Sequence, residues 1–110
     1  MIAETLLNYL ETALNVPVFT EAPTQKTGYV LIDQTGSSRN NHIKSTTFAI
    51  QSYGERLIEA MELNEEVKEA MEDFISLDEI NHVDFDTDYN FTDTTTKQYR
   101  WQAVFTITHY

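Results

Sequence analysis

Apolar residues recur at spacings of three and four over the first fourteen positions. Ile2, Leu6, Tyr9, Leu10, Ala13 and Leu14 fall on one side of a helix, and Glu4, Asn8 and Glu11 fall on the other. Pro17 has no amide hydrogen and disfavours helical geometry in the residue before it, so this helix is predicted to end by Val16. Val16 to Thr20 then reads as a short strand, at an edge or a strand start where proline is tolerated. A polar loop from Ala22 to Gly28 follows. Tyr29-Val30-Leu31-Ile32-Asp33 is almost continuously apolar and rich in strand formers, which predicts a strand buried on both faces near the middle of a sheet.

Thr35 to Ser45 has almost nothing to bury, and its glycine and asparagines favour turns; an exposed, mobile hairpin loop is expected there. Phe48 and Ile50 alternate against Thr47, Ala49 and Gln51 in a strand from Thr46 to Ser52. Ser52-Tyr53-Gly54-Glu55 matches a capping box and places the start of a second helix directly after it. That helix projects Leu57, Ala60, Met61, Val67, Ala70, Met71 and Phe74 onto one half and its acids onto the other. Ile58 lies outside the apolar arc, and Asn64 followed by two glutamates allows a break near Leu63, with one continuous helix as the preferred reading. Ile80 to Phe91 alternates as a strand, Asp93 to Lys97 is a polar turn, and a last strand sets Tyr99, Trp101, Ala103, Phe105 and Ile107 on one face. Trp101 is therefore expected to be buried or at a subunit interface. The expected fold is an α+β single domain over residues 1–110, in the order α-β-β-β-α-β-β, with two main helices on one face of a mostly antiparallel sheet of about five strands.

Charge narrows the partners. Eighteen acidic against seven basic residues give a formal charge of -11. That repels phosphate backbones and anionic lipid, so no specific nucleic-acid or membrane partner is expected. No apolar run approaches the roughly 20 residues of a bilayer span. The first residues lack the basic and long apolar segments of a secretory signal, and there is no cysteine, so a reducing intracellular site of synthesis is expected.

Catalytic chemistry finds little footing. His42, His82 and His109 are dispersed, without the spacing of a metal site. Gly36-Ser37-Ser38-Arg39 lacks the second glycine of a nucleophile elbow. Asp84-Phe85-Asp86-Thr87-Asp88 begins like a calcium loop, but Tyr89 stands where glycine is required and Thr95 where a bidentate glutamate is required. Gly28, Gly36 and Gly54 form no phosphate cradle, and Asn90-Phe91-Thr92 matches a glycosylation triplet only by chance. No catalytic, cofactor or metal residue is assigned, and the chain is expected not to be an enzyme.

The segments Val16-Pro17-Val18-Phe19-Thr20-Glu21-Ala22-Pro23, Tyr29-Val30-Leu31-Ile32-Asp33-Gln34-Thr35-Gly36 and Arg39-Asn40 resemble the minor tail and tail-terminator proteins of long-tailed bacteriophages. The similarity continues through Phe48-Ala49-Ile50-Gln51-Ser52-Tyr53 and through Tyr99-Arg100-Trp101 with Phe105-Thr106-Ile107, although the second helix is more acidic than the alanine-rich helix usual there. The resemblance implies a protein that forms a six-fold ring on the end of the tail tube, halts its growth and offers a surface for head attachment. Its partners would be itself, the tail-tube protein and a head-completion or neck protein, with assembly in the host cytoplasm and a final place in the virion tail. The interface candidates are Arg39, Asn40, Asn41, His42 and Lys44, because Arg39 and Lys44 are two of seven cations in an acidic chain and sit where a mobile loop would order against a partner. Alternatives are another neck or tube component of related fold, a small-molecule-binding domain or enzyme with a dispersed site, or an unrelated adaptor.

Overall fold

The computed structural model describes residues 1–110. Helix α1 (Ile2–Ala13) leads into strand β1 (Val18–Phe19), strand β2 (Tyr29–Asn40) and strand β3 (Ile43–Gly54). Helix α2 (Leu57–Glu72), a 3-10 turn (Phe74–Ser76), strand β4 (Ile80–Asn90) and strand β5 (Tyr99–His109) complete the chain. The strands form one five-stranded sheet in the order β1-β2-β3-β5-β4, antiparallel except where β1 runs parallel to β2. The α+β class and the element order are those expected from the sequence.

The strict alternation of β3 and β5 decides which face is covered. Phe48 and Ile50 on β3, Ala103, Phe105 and Ile107 on β5, and Val30 and Ile32 on β2 all point to one side. Leu6 and Leu10 of α1 and Leu63, Val67 and Met71 of α2 pack down on them. Fully burying each large side chain of this cluster contributes about 2 kcal/mol. Glu4, Asn8 and Glu11 are exposed as the periodicity of α1 requires, whereas Ala13, at its last turn, is also exposed. Leu14 is already extended (φ -108°, ψ 156°), so α1 ends before Val16.

Four sequence readings are corrected. Thr35 to Ser45 is not a mobile loop: β2 and β3 continue as a regular hairpin to Asn40 and Ile43, closed by Asn41 and His42 at φ 50° and 69°. Two consecutive left-handed residues make the tight turn whose twist matches a hairpin, and asparagine tolerates that geometry. The capping box does not form, because Ser52 lies inside β3, paired with Trp101, and α2 starts later, with Arg56 at its N-cap and no side-chain cap. The second helix runs unbroken through Leu63, as preferred, but its inward arc is not the one projected: Leu63 and Asn64 are buried and Met61 is exposed, so the arc is rotated toward Asn64. Tyr29, Val30 and Ile32 are buried and Leu31 half-buried, but Asp33 is exposed, and the strand lies second in the sheet, beside the two-residue β1, instead of at its middle.

Gly54 ends β3 under α2. A Cβ there would stand 2.5 Å from the Ala60 amide nitrogen, so the chain reverses from strand to helix only because this residue has no side chain.

Candidate functional site

The hairpin brings the interface candidates together, on strands and a turn instead of a loop. Arg39 and Asn40 end β2, Asn41 and His42 form the turn, and Lys44 is the second residue of β3. Arg39 and Lys44 are direct cross-strand partners. Like charges placed opposite each other on a sheet repel, and no ion pair within 4.0 Å relieves either one. Each ion pair of the molecule lies elsewhere, at the amino terminus, around α2 or on β4.

Both cations line a cleft of about 700 Å³ between the start of α1 and the hairpin end of the sheet, together with Thr5, Ser37, Thr46 and His109. His109 is buried, its Nε2 2.9 Å from the Thr46 hydroxyl and its Nδ1 3.3 Å from the Tyr110 carbonyl oxygen. A carbonyl oxygen only accepts, so Nδ1 donates to Tyr110, and the Thr46 hydroxyl, which can donate or accept, pairs with Nε2. This pair holds the end of β5 to β3, and the polar wall of the cleft is made by Arg39, Lys44 and Ser37 with one acid, Glu79, so that cations outnumber acids there. Such a wall suits carboxylate-bearing protein surface.

A second surface lies on the helix-free face, and the sequence reading did not single it out. Tyr53 donates to Gln51 Oε1 at 2.7 Å, Gln51 Nε2 donates to Gln102 Oε1 at 2.8 Å, and Gln102 Nε2 donates to the Tyr89 hydroxyl. The chain of bonds crosses β3, β5 and β4. Tyr29 stacks on Tyr53 at 4.3 Å between ring centres, and Arg100 reaches the Tyr53 hydroxyl while its guanidinium lies 4.7 Å from the Phe91 ring. Although no helix covers them, Tyr29 and Tyr53 are only 3% and 4% exposed, because these side chains cover one another. Burial, with Tyr53 beside it, pushes the Tyr29 phenol up to about 12. The sequence signal was present in Gln51, Arg100 and Gln102, which fall on the polar phase of their strands, but not in Tyr29, which lies in an almost continuously apolar run.

No protein-family model matches this chain, and no curated protein matches it.

The aspartates of β4 have separate duties. Asp84 accepts from His82 at 2.8 Å and Asp86 from Thr106 at 2.8 Å. Asp88, on the helix side, accepts from Asn64 at 2.8 Å, Lys68 at 2.9 Å and Trp101 at 3.3 Å. No group of three or more acidic or histidine side chains converges in a way that could hold a metal ion. Trp101 is half-buried at this junction, less enclosed than Phe105 on the same face. Phe85 and Tyr89 of β4 and Phe91 just after it are 49%, 40% and 39% exposed, an aromatic margin at the sheet edge with Phe85 on the helix side and the other two on the helix-free side. No helix of the chain is long and apolar enough to cross a membrane.

Proposed function

We propose that this chain is a structural subunit of a long-tailed phage tail, assembling as a ring on the end of the tail tube, stopping tube growth and presenting a surface for head attachment. The observation that carries the reading is the Arg39–Lys44 pair: two opposed cations, neither in an ion pair within 4.0 Å, at the end of a hairpin in a chain of charge -11. The chain supplies repulsion there that an acidic neighbour relieves. The similarity of Tyr29 to Gly36 and of Arg39-Asn40 to tail-terminator proteins points to the same segment. The function is architectural, with no reaction assigned.

Acidity fits this role as well. A ring of six copies carries eleven negative charges per copy, and an acidic channel repels passing DNA so that it does not adhere. The partners are other copies of the chain, the tail-tube subunit and a neck or head-completion protein, in a virion tail assembled in the host cytoplasm.

Light scattering after size-exclusion chromatography, with and without tail-tube subunits, tests the reading. A discrete ring, or capture on tube ends with arrest of tube elongation, is expected. A chain that remains monomeric and neither binds nor caps tube would overturn it. A chain that binds the neck but leaves tube growth unaffected would favour a neck component of related fold.

A further inference from the structure

The two outer edges of the sheet are unlike each other and fit each other. β1 pairs with β2 only at Val30 and Leu31, so from Ile32 to Asn40 the outer side of β2 has no strand partner. On the opposite margin β4 has β5 on one side and nothing on the other. Each is a row of backbone donors and acceptors open to another strand, about 30 Å long at roughly 3.3 Å per residue.

Strand direction makes them complementary. β2 runs antiparallel to β3, β3 to β5 and β5 to β4, so β2 and β4 point in opposite directions. When a second copy is placed beside the first in the same orientation, its β2 meets β4 antiparallel, in the more stable pairing. A bend also coincides. β2 has a bulge between Gln34 and Gly36, and β4 has two, one between Phe85 and Thr87 and one at its start between Ile80 and His82. Gln34 pairs with Phe48, Phe48 with Phe105 and Phe105 with Phe85, so both edges kink at the same row of the sheet.

Charge then selects this pairing over its rivals. The free part of β2 carries one aspartate, Asp33, and one arginine, Arg39, whereas β4 carries Asp84, Asp86 and Asp88 and no lysine or arginine. Two β4 edges set against each other would oppose aspartates, which disfavours a two-fold dimer through that margin. A β2 edge, with one acid and one base, brings no net charge instead.

We propose that the chain assembles by edge-to-edge addition, the free part of β2 of one copy extending the sheet of the next at β4 and covering the Phe85, Tyr89 and Phe91 margin. The occupant of each edge is a second copy of this chain. The contact uses two different surfaces, so it repeats, and it closes into a ring when the rotation per copy permits. The inference deepens the ring-forming reading above and rests on it for its setting.

The absence of cysteine makes the test clean. Ser38→Cys on β2 is combined with His82→Cys or with Thr87→Cys on β4, all exposed positions, and treated with a short bismaleimide. At least one double variant should give a ladder of dimers, trimers and higher species, while each single variant stays uncrosslinked. Adding Arg39→Glu to the laddering variant should lower its ladder yield about tenfold, with an unchanged circular dichroism spectrum showing that the fold is intact. Single variants that dimerise as well as the doubles would reveal a two-fold contact and overturn the proposal. So would the lack of a ladder in both doubles; a discrete oligomer by light scattering would then leave the ring-forming reading standing on another surface. A ladder from a protein that fails to cap tube keeps the edge pairing and removes the tail reading.

Discussion

Lys68 on α2 places its ammonium 2.9 Å from the Asp88 carboxylate on β4, and this contact fastens the covering helix to an edge strand of the sheet. Asn64 and Trp101 donate to the same carboxylate oxygen. Burial raises Asp88, but the hydrogen bonds from Lys68 and Asn64, with the Lys68 charge, outweigh it and hold the carboxyl below its ordinary value. Lys68 is raised in turn, chiefly by its hydrogen bonds to Glu65 and Asp88.

The signs of these shifts fix the pH dependence. Asp88 has a depressed folded-state value, so its contribution is present above about pH 4 and lost as pH falls through that lowered value. Tyr29 and Lys68 are raised, so theirs is complete below about pH 10 and lost above it, for Tyr29 up to about 12. Thermal midpoints across pH 2 to 12 check both limbs. Asp88→Ala should cost about 2 kcal/mol and remove part of the acid limb, the Asp93 carboxyl, lowered chiefly by the Thr95 amide, contributing another part. An acid limb unchanged in that variant would assign it to other carboxylates.

Gly54→Ala should destabilise by about 2 kcal/mol, because the added Cβ meets the backbone of the first turn of α2 and not a flexible side chain. Gly36→Ala is the control, since nothing lies within 4 Å of its would-be Cβ. Equal effects at both glycines in urea melts would refute the close-approach argument.

His42→Gly should stabilise the hairpin by about 0.5 to 1 kcal/mol, since His42 sits at φ 69° as the second residue of the turn, where glycine carries no strain. The thermal midpoint reads the change, and a fall would mean that the His42 side chain makes a stabilising contact.

Replacing both Arg39 and Lys44 by glutamate should leave the thermal midpoint within a degree or two, because neither is in an ion pair and the hairpin is held by its backbone ladder. Assembly on tube subunits should weaken at least about tenfold from charge reversal. Capping activity equal to that of the unaltered protein would show that the hairpin end is not the docking element.

Periodicity alone determined the elements that bury apolar side chains, their order and the α+β class. Ile2 to Leu10, Phe48 to Ile50 and Trp101 to Ile107 repeat at intervals set by the helix or strand itself, so each announces its state without its neighbours. Gln34 to Lys44 carries no such signal. It is strand because β3 is paired along its length, with β2 on one side and β5 on the other, and hydrogen bonds between backbones hold polar residues that bury little. The same pairing draws Ser52 to Gly54 into β3 against Tyr99 to Trp101 and overrides a local capping pattern. Sequence reasoning reached Arg39 and Lys44 as the cations to watch, but only the register sets them opposite each other. The polar ladder from Tyr53 to Tyr89, the Lys68–Asp88 tie and the matched edges of β2 and β4 depend on which strands become neighbours. That was decided by the packing of two helices on one face of the sheet, a long-range choice that no local spacing encodes.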